Sequence, residues 1–211
     1  MVVIVSTTVV LMIEFPSKKY NIIYADPAWH YDKRNEGNRN VQNKYNTLSF
    51  EDIYNLPVQQ ISAEDCVLFL WITYPKLLDC VKTIESWGFV YKTCAFSWIK
   101  KNKKSDSLFI GMGNWTRANN EICLLATKGK PKRVSASVRQ TIISPIEGHS
   151  KKPDCVRDRI VELCGYEPRA KHSKKPDRIR NVITEMTYEP RIELFAREKT
   201  EGWDAWGNEV D

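Results

Sequence analysis

Short runs of β-branched and aromatic residues recur along the chain at 20–25, 66–72, 90–98, 121–127, 140–145 and 191–196. Each has the length and apolar continuity of a buried strand. Segments with helical spacing lie between them. Residues 50–61 form one, and 75–87 place Leu77, Leu78, Val81 and Ile84 on a single face. Ser49 with Asp52 has the pattern of a capping box at the start of the first. Continuous apolar strands interleaved with amphipathic helices predict an α/β fold, a mostly parallel sheet with helices on both faces. In such sheets ligands bind beyond the carboxyl ends of the strands.

Two stretches depart from that pattern. Residues 1–12 are an apolar β-branched tract without a basic start, too short to span a bilayer. Everything the predicted fold needs begins later, so Met12 reads as the natural start, residues 1–18 as an extension and 19–211 as one domain. The second departure is a repeat. His149-Ser-Lys-Lys-Pro-Asp154 and the helical run after it recur as His172-Ser-Lys-Lys-Pro-Asp177, giving duplicated segments 149–169 and 172–191. Val156, Ile160 and Leu163 answer to Ile179, Ile183 and Met186. One helix returns the chain to the start of a parallel strand, whereas a second leaves it at the wrong end. The expectation is that one copy occupies a functional site and the other is displaced.

At 211 residues, with 42% hydrophobic and 27% charged positions, the chain suits a single soluble core. A net charge of +6 favours polyanionic partners. The six cysteines form no CxxC pair and sit mostly in apolar runs, which reads as reduced thiols in a cytoplasmic protein. The three histidines have no metal-ligand spacing, so no metal is expected. Gly111-Met112-Gly113 reads as a flexible turn rather than a phosphate cradle.

The chemistry concentrates at the end of the first strand, in Tyr24-Ala-Asp-Pro-Ala-Trp29. The carboxylate of Asp26 and the carbonyl of Pro27 can accept both hydrogens of one amino group, and Trp29 offers a ring for stacking. Proline fixes φ and so steadies its carbonyl. Alone, Asp-Pro after a strand is equally a turn. Basic loops add candidates for phosphate contact at the same end of the sheet. They are His30–Lys44 (with Lys33, Arg34 and Arg39), Lys100–Lys104, Arg117 with Asn119, and the cluster Lys128, Lys130, Lys132 and Arg133. Trp115 and Tyr45 are interleaved with them as stacking aromatics, although each charge run by itself is also what a solvated face looks like.

Further segments follow in order: Tyr45-x-Thr-Leu-Ser49, Val67–Trp71, Trp98-Ile-Lys100, Asn120-Glu121 before Cys123-Leu-Leu125, His149–Asp154, Ile192-Glu-Leu-Phe-Ala-Arg197 and Gly207-Asn-Glu209. Together they resemble the MT-A70 family of adenine-N(6) methyltransferases, in its bacterial and phage form, over roughly residues 19–211. The resemblance implies a Rossmann-like methyltransferase fold and methyl transfer from S-adenosylmethionine to adenine in nucleic acid, without a metal. It implies catalytic roles for Asp26, Pro27 and Trp29. Trp29 and Tyr45 would wall the base, with Tyr45 open to a core role instead. Glu121 would contact the substrate amine region or buttress the site, with a salt bridge as an equal alternative; Trp115 and Arg117, read from the basic loops, would meet the nucleic acid. Lys152 or Lys175 would hold the methionine carboxylate. Arg197 would reach the ribose with Lys199 nearby, and Asn208 and Glu209 would hold the ribose or adenine edge.

The family's usual second proline is Ala28 here, which loosens the loop but spares the acceptor carbonyl. A short chain without RNA-binding appendages favours DNA over RNA. RNA methylation, or a non-catalytic nucleic-acid-binding role beside an active enzyme, are the alternatives. Target recognition falls to loops or to a second subunit, and no membrane partner is implied.

Overall fold

The structure, a computed structural model, describes residues 14–29, 48–113, 115–148, 150–164, 190–207 and 210. In chain order the elements are β1 (Tyr20–Ala25), α1 (Phe50–Tyr54), α2 (Val58–Ile61), β2 (Ser62–Ile72), α3 (Leu77–Ser86), β3 (Val90–Lys101), β4 (Asn120–Lys128), β5 (Thr141–Pro145), α4 (Cys155–Cys164), β6 (Arg191–Leu194) and β7 (Asp204–Trp206). The strands form one seven-stranded sheet in the order β5-β3-β4-β2-β1-β6-β7. All neighbouring pairs are parallel except those of β4, which runs antiparallel to both β2 and β3. The fold is α/β and Rossmann-like, as expected.

Period-two alternation along the strands builds two cores. Ile23, Ala25, Leu68 and Leu70 pack with Ile53, Val58, Cys80 and Ile84 of the helices α1 to α3. Their neighbours Ile22, Tyr24, Val67, Phe69 and Trp71 pack on the other face with Val156 and Ile160 of α4. Strands apolar on both sides are what a covered parallel sheet requires.

Several boundaries differ from expectation. The helix expected over 50–61 is two helices, because Pro57 has no N–H to continue the first and instead precedes α2. Ser49 caps α1 through the expected box, accepting from the Asp52 N–H at 3.1 Å while Asp52 Oδ2 accepts from the Ser49 N–H at 3.3 Å. β7 escaped prediction because three residues carry no periodic signal.

The direction of β4 corrects one functional expectation. Its last residue, Lys128, lies at the edge where β2 begins, with its ammonium donating to Ser62 Oγ at 2.6 Å. The Lys130 N–H likewise bonds Asp65 Oδ1 at 2.7 Å. The cluster Lys128, Lys130, Lys132 and Arg133 therefore leaves from the edge opposite Asp26. Apolar strands look alike whichever way they run, so the sequence could not place it.

Of the repeat, the first copy supplies α4. The second lies outside the described residues except for its last two positions, Pro190 and Arg191, where Arg191 opens β6.

Candidate active site

β1 sits between β2 and β6, so the chain leaving it at Asp26 emerges from the middle of the sheet's carboxyl edge. The Asp26 N–H extends the β6 ladder to the Leu194 carbonyl at 3.4 Å. The next turn is closed by the Trp29 N–H, which donates to the Pro27 carbonyl at 2.9 Å. That bond fixes the carbonyl's direction and leaves it a second lone pair. Trp29 anchors the loop: its indole N–H donates to the Trp71 carbonyl at 3.1 Å, and its ring stacks on Phe50 at 5.8 Å between centroids. At 7% exposure Trp29 is buried against Phe50.

Asp26 begins a chain of alternating charges. Lys152 Nζ lies 2.7 Å from Asp26 Oδ2 and 3.3 Å from Glu121 Oε2, and Lys100 Nζ lies 2.5 Å from Glu121 Oε1. Burial raises the Asp26 carboxyl above its ordinary range and Glu121 adds to this, while Lys152 and Arg197 pull the other way. Burial also opposes charge on Glu121, but Lys152 and Lys100 outweigh it and hold that carboxyl low. For Lys152, burial is outweighed by Asp26 and Glu121, so its ammonium is held above the ordinary value. The group stays charged and shared by two carboxylates.

A cleft of about 240 Å³ opens beside Asp26. Tyr24, Lys152, Arg157, Glu193, Phe195 and Arg197 line it, together with Ser150, Lys151 and Glu198. Arg157 and Glu193 form a paired contact across it, Nε to Oε2 at 2.7 Å and Nη2 to Oε1 at 3.0 Å. The guanidinium also lies 5.9 Å from the centre of the Tyr24 ring, whose hydroxyl accepts from the Trp71 indole N–H at 2.7 Å. Ser150 (φ 61°) and Phe195 (φ 63°), both cleft residues, have left-handed backbone. Such strain in non-glycine residues tends to gather at binding sites. Carboxylates and cations facing one another across a small cleft form a donor set that can hold an α-carboxylate and an α-ammonium together. That suits the amino-acid end of S-adenosylmethionine.

The structure brings Asp26, Lys152, Arg197 and Glu121 to this place, and leaves Lys199 exposed just outside the cleft. Trp115 and Arg117 stand exposed on the loop between β3 and β4, where Arg117 Nη1 meets Met112 Sδ at 3.8 Å. Tyr45, Lys175, Asn208, Glu209 and the loop His30–Lys44 lie outside the described residues. Sequence reasoning missed Arg157 and Glu193. A signal existed, since a glutamate inside the apolar run Ile192-Glu-Leu194 needs a buried partner. Its identity did not follow. Among the described residues no group of His, Cys, Asp or Glu is arranged to hold a metal, and no helix is long and apolar enough to cross a membrane.

The sequence profile of the MT-A70 family matches residues 20–169 and 158–209. The chain belongs to the MT-A70 family. The two matched stretches overlap at 158–169, inside the first copy of the repeated unit. Membership makes the protein a methyltransferase of an adenine-specific family. Over 216 residues it is 35% identical to the Type II methyltransferase M.MunI of a Mycoplasma species, covering 93% of this chain and 80% of that one. It is 26% identical to the N6-methyladenosine RNA methyltransferase MTA1 of Pyricularia oryzae, covering 90% of this chain but 47% of that protein. Over 120 residues it is 31% identical to the N6-adenosine-methyltransferase non-catalytic subunit MTB of Arabidopsis thaliana, covering 54% of this chain and 15% of that one.

Proposed function

We propose that this protein transfers a methyl group from S-adenosylmethionine to the exocyclic nitrogen of adenine in DNA. The observation that carries the proposal is Asp26 in the lining of the charged cleft, beside a Pro27 carbonyl held in a fixed direction. When bound, the cofactor supplies an electrophilic methyl on sulfur. Lys152 and Arg197 are the cleft cations suited to its carboxylate and ribose, with Asn208 and Glu209 proposed for its adenosine end.

The rest of the chemistry belongs to this chain's residues. An exocyclic amine conjugated to a purine is a poor nucleophile. Asp26 and the Pro27 carbonyl accept its two N–H bonds, which favours a pyramidal nitrogen and frees its lone pair. The same two bonds fix the nitrogen's position, and the Asp26 charge stabilises the positive charge that grows there. Glu121 keeps Lys152 charged and oriented. In duplex DNA the base must first leave the stack.

The resemblance to the Type II methyltransferase M.MunI over most of both chains supports methyl transfer. The resemblance to MTB supports a second reading, a non-catalytic partner subunit. Incubation with isotope-labelled cofactor and DNA or RNA oligomers, followed by nucleoside mass analysis, tests these together. The expected product is labelled N6-methyladenine in DNA. Label in RNA alone would reverse the substrate assignment. No label, with no cofactor binding by calorimetry, would favour the non-catalytic role.

A further inference from the structure

The loop joining β3 to β4 is an ordered ribbon. The Lys100 N–H donates to the Asn119 carbonyl at 2.9 Å, and the Lys100 carbonyl accepts from the Phe109 N–H at 2.9 Å. The Asn102 N–H bonds Ser107 at 3.0 Å and the Gly111 N–H bonds Ala118 at 2.7 Å. Beyond these ties the chain turns through Gly113 at φ 65°, where a Cβ would meet the Thr116 carbonyl oxygen at 1.9 Å. Trp115 follows at φ 68°, a conformation bulky residues rarely adopt, and its side chain is 103% exposed. Ile110 (71%) and Met112 (76%) are also exposed on the ribbon. Lys103, Lys104 and Arg117 are exposed on the same ribbon.

Because β4 is antiparallel, the ribbon rises from the sheet edge that carries Asp26. Its base is coupled to the active site: Glu121, second residue of β4, shares Lys152 with Asp26. An apolar tip held in a strained turn, on a ribbon that also exposes three cations and is rooted beside the Asp26 carboxylate, suits a duplex in both charge and shape. The cations suit phosphates, and the tip suits the gap between unstacked bases.

Resting on the function proposed above, we propose that this ribbon opens duplex DNA. Trp115, backed by Ile110 and Met112, inserts into the base stack as the target adenine leaves it, while Lys103, Lys104 and Arg117 grip the flanking phosphates.

The test uses plasmid DNA free of N6-methyladenine, native or heat-denatured, with methylation read by nucleoside mass analysis. Trp115→Ala is expected to lower the native-to-denatured rate ratio by about tenfold, the worth of one stacked aromatic. Trp115→Phe, which keeps a ring, should hold the ratio near that of the unaltered protein. An unchanged ratio with Trp115→Ala overturns the proposal. So does a change in sedimenting mass with that variant, which would make the tip a contact between protein copies. Binding gives a reading independent of turnover. On a short random-sequence duplex, Lys103→Ala, Lys104→Ala and Arg117→Ala should each reduce the slope of log affinity against log salt by about 0.9. Unaltered slopes reject the phosphate contacts. Absence of methylation by the unaltered protein on both templates counts against the proposed function, and the slopes then decide this inference alone.

Discussion

Lys152 Nζ lies 2.7 Å from Asp26 Oδ2 although the two residues are 126 positions apart in sequence. The lysine expected to serve the cofactor is therefore also the counter-ion of the residue expected to serve the substrate. Glu121 shares it, which makes the protonation of Asp26 sensitive to two neighbours of opposite sign.

The acid limb of kcat/KM against pH reports groups of the free enzyme. Methyl transfer needs Asp26 ionised, and burial has raised its pKa, so this limb is expected above the ordinary carboxylate range. Lys152 lowers that pKa and Glu121 raises it. Lys152→Met should move the limb to higher pH, and Glu121→Gln should move it to lower pH. Shifts in the same direction would rule out the shared-lysine arrangement.

Asp26→Asn keeps an acceptor oxygen but loses the charge. Turnover is expected to fall on the order of a hundredfold or more, the usual loss for a preorganised electrostatic contact. Cofactor affinity by calorimetry should change little by comparison. A fully active variant would show that the carboxylate is not the amine acceptor.

Glu193 and Arg157 form a buried ion pair in the lining of the cleft, with side chains 10% and 13% exposed. Burial raises the Glu193 carboxyl and Arg157 opposes this, so the charge depends on its partner. Arg157→Met should destabilise the protein by about 3–5 kcal/mol, because it strands a buried charge. Adding Glu193→Gln should restore part of that. Guanidinium denaturation measures both, and additive losses would show that the residues are not coupled.

At Gly207 the chain leaving β7 crosses the chain leaving β6. The Ala196 N–H donates to the Trp206 carbonyl at 3.0 Å, and a Cβ on Gly207 would meet the Ala196 oxygen at 2.1 Å. Gly207→Ala should part the two segments and displace Arg197, the next residue along. Weaker cofactor binding with a lowered Tm is expected. Unchanged calorimetry and melting would place the crossing away from the site.

Much of the framework was legible because it rests on local patterns. Short apolar β-rich runs marked six of the strands that the structure contains, and Ser49 with Asp52 marked the start of α1. The Tyr24–Trp29 segment marked the end of the sheet where the cleft opens, since Asp-Pro at a strand's carboxyl end stands out in sequence. The packing of Trp29 on Phe50 was not legible, because a ring that can stack on a purine looks in sequence like one that stacks on a neighbouring ring. Arg157 was invisible as a partner, since an arginine on a helix looks solvated until a buried carboxylate faces it.

The sequence by itself determined the alternation of strands and helices, the site-bearing turn after β1 and the family pattern, all set by residues close together along the chain. Tertiary structure alone decided the direction of β4, which sends Lys128 to one edge of the sheet and the Trp115 ribbon to the other. It also decided the sharing of Lys152 between Asp26 and Glu121. The physical reason is range. Hydrophobic periodicity and capping act over a few residues, whereas strand direction and buried ion pairs follow from free energies summed over the whole packed sheet.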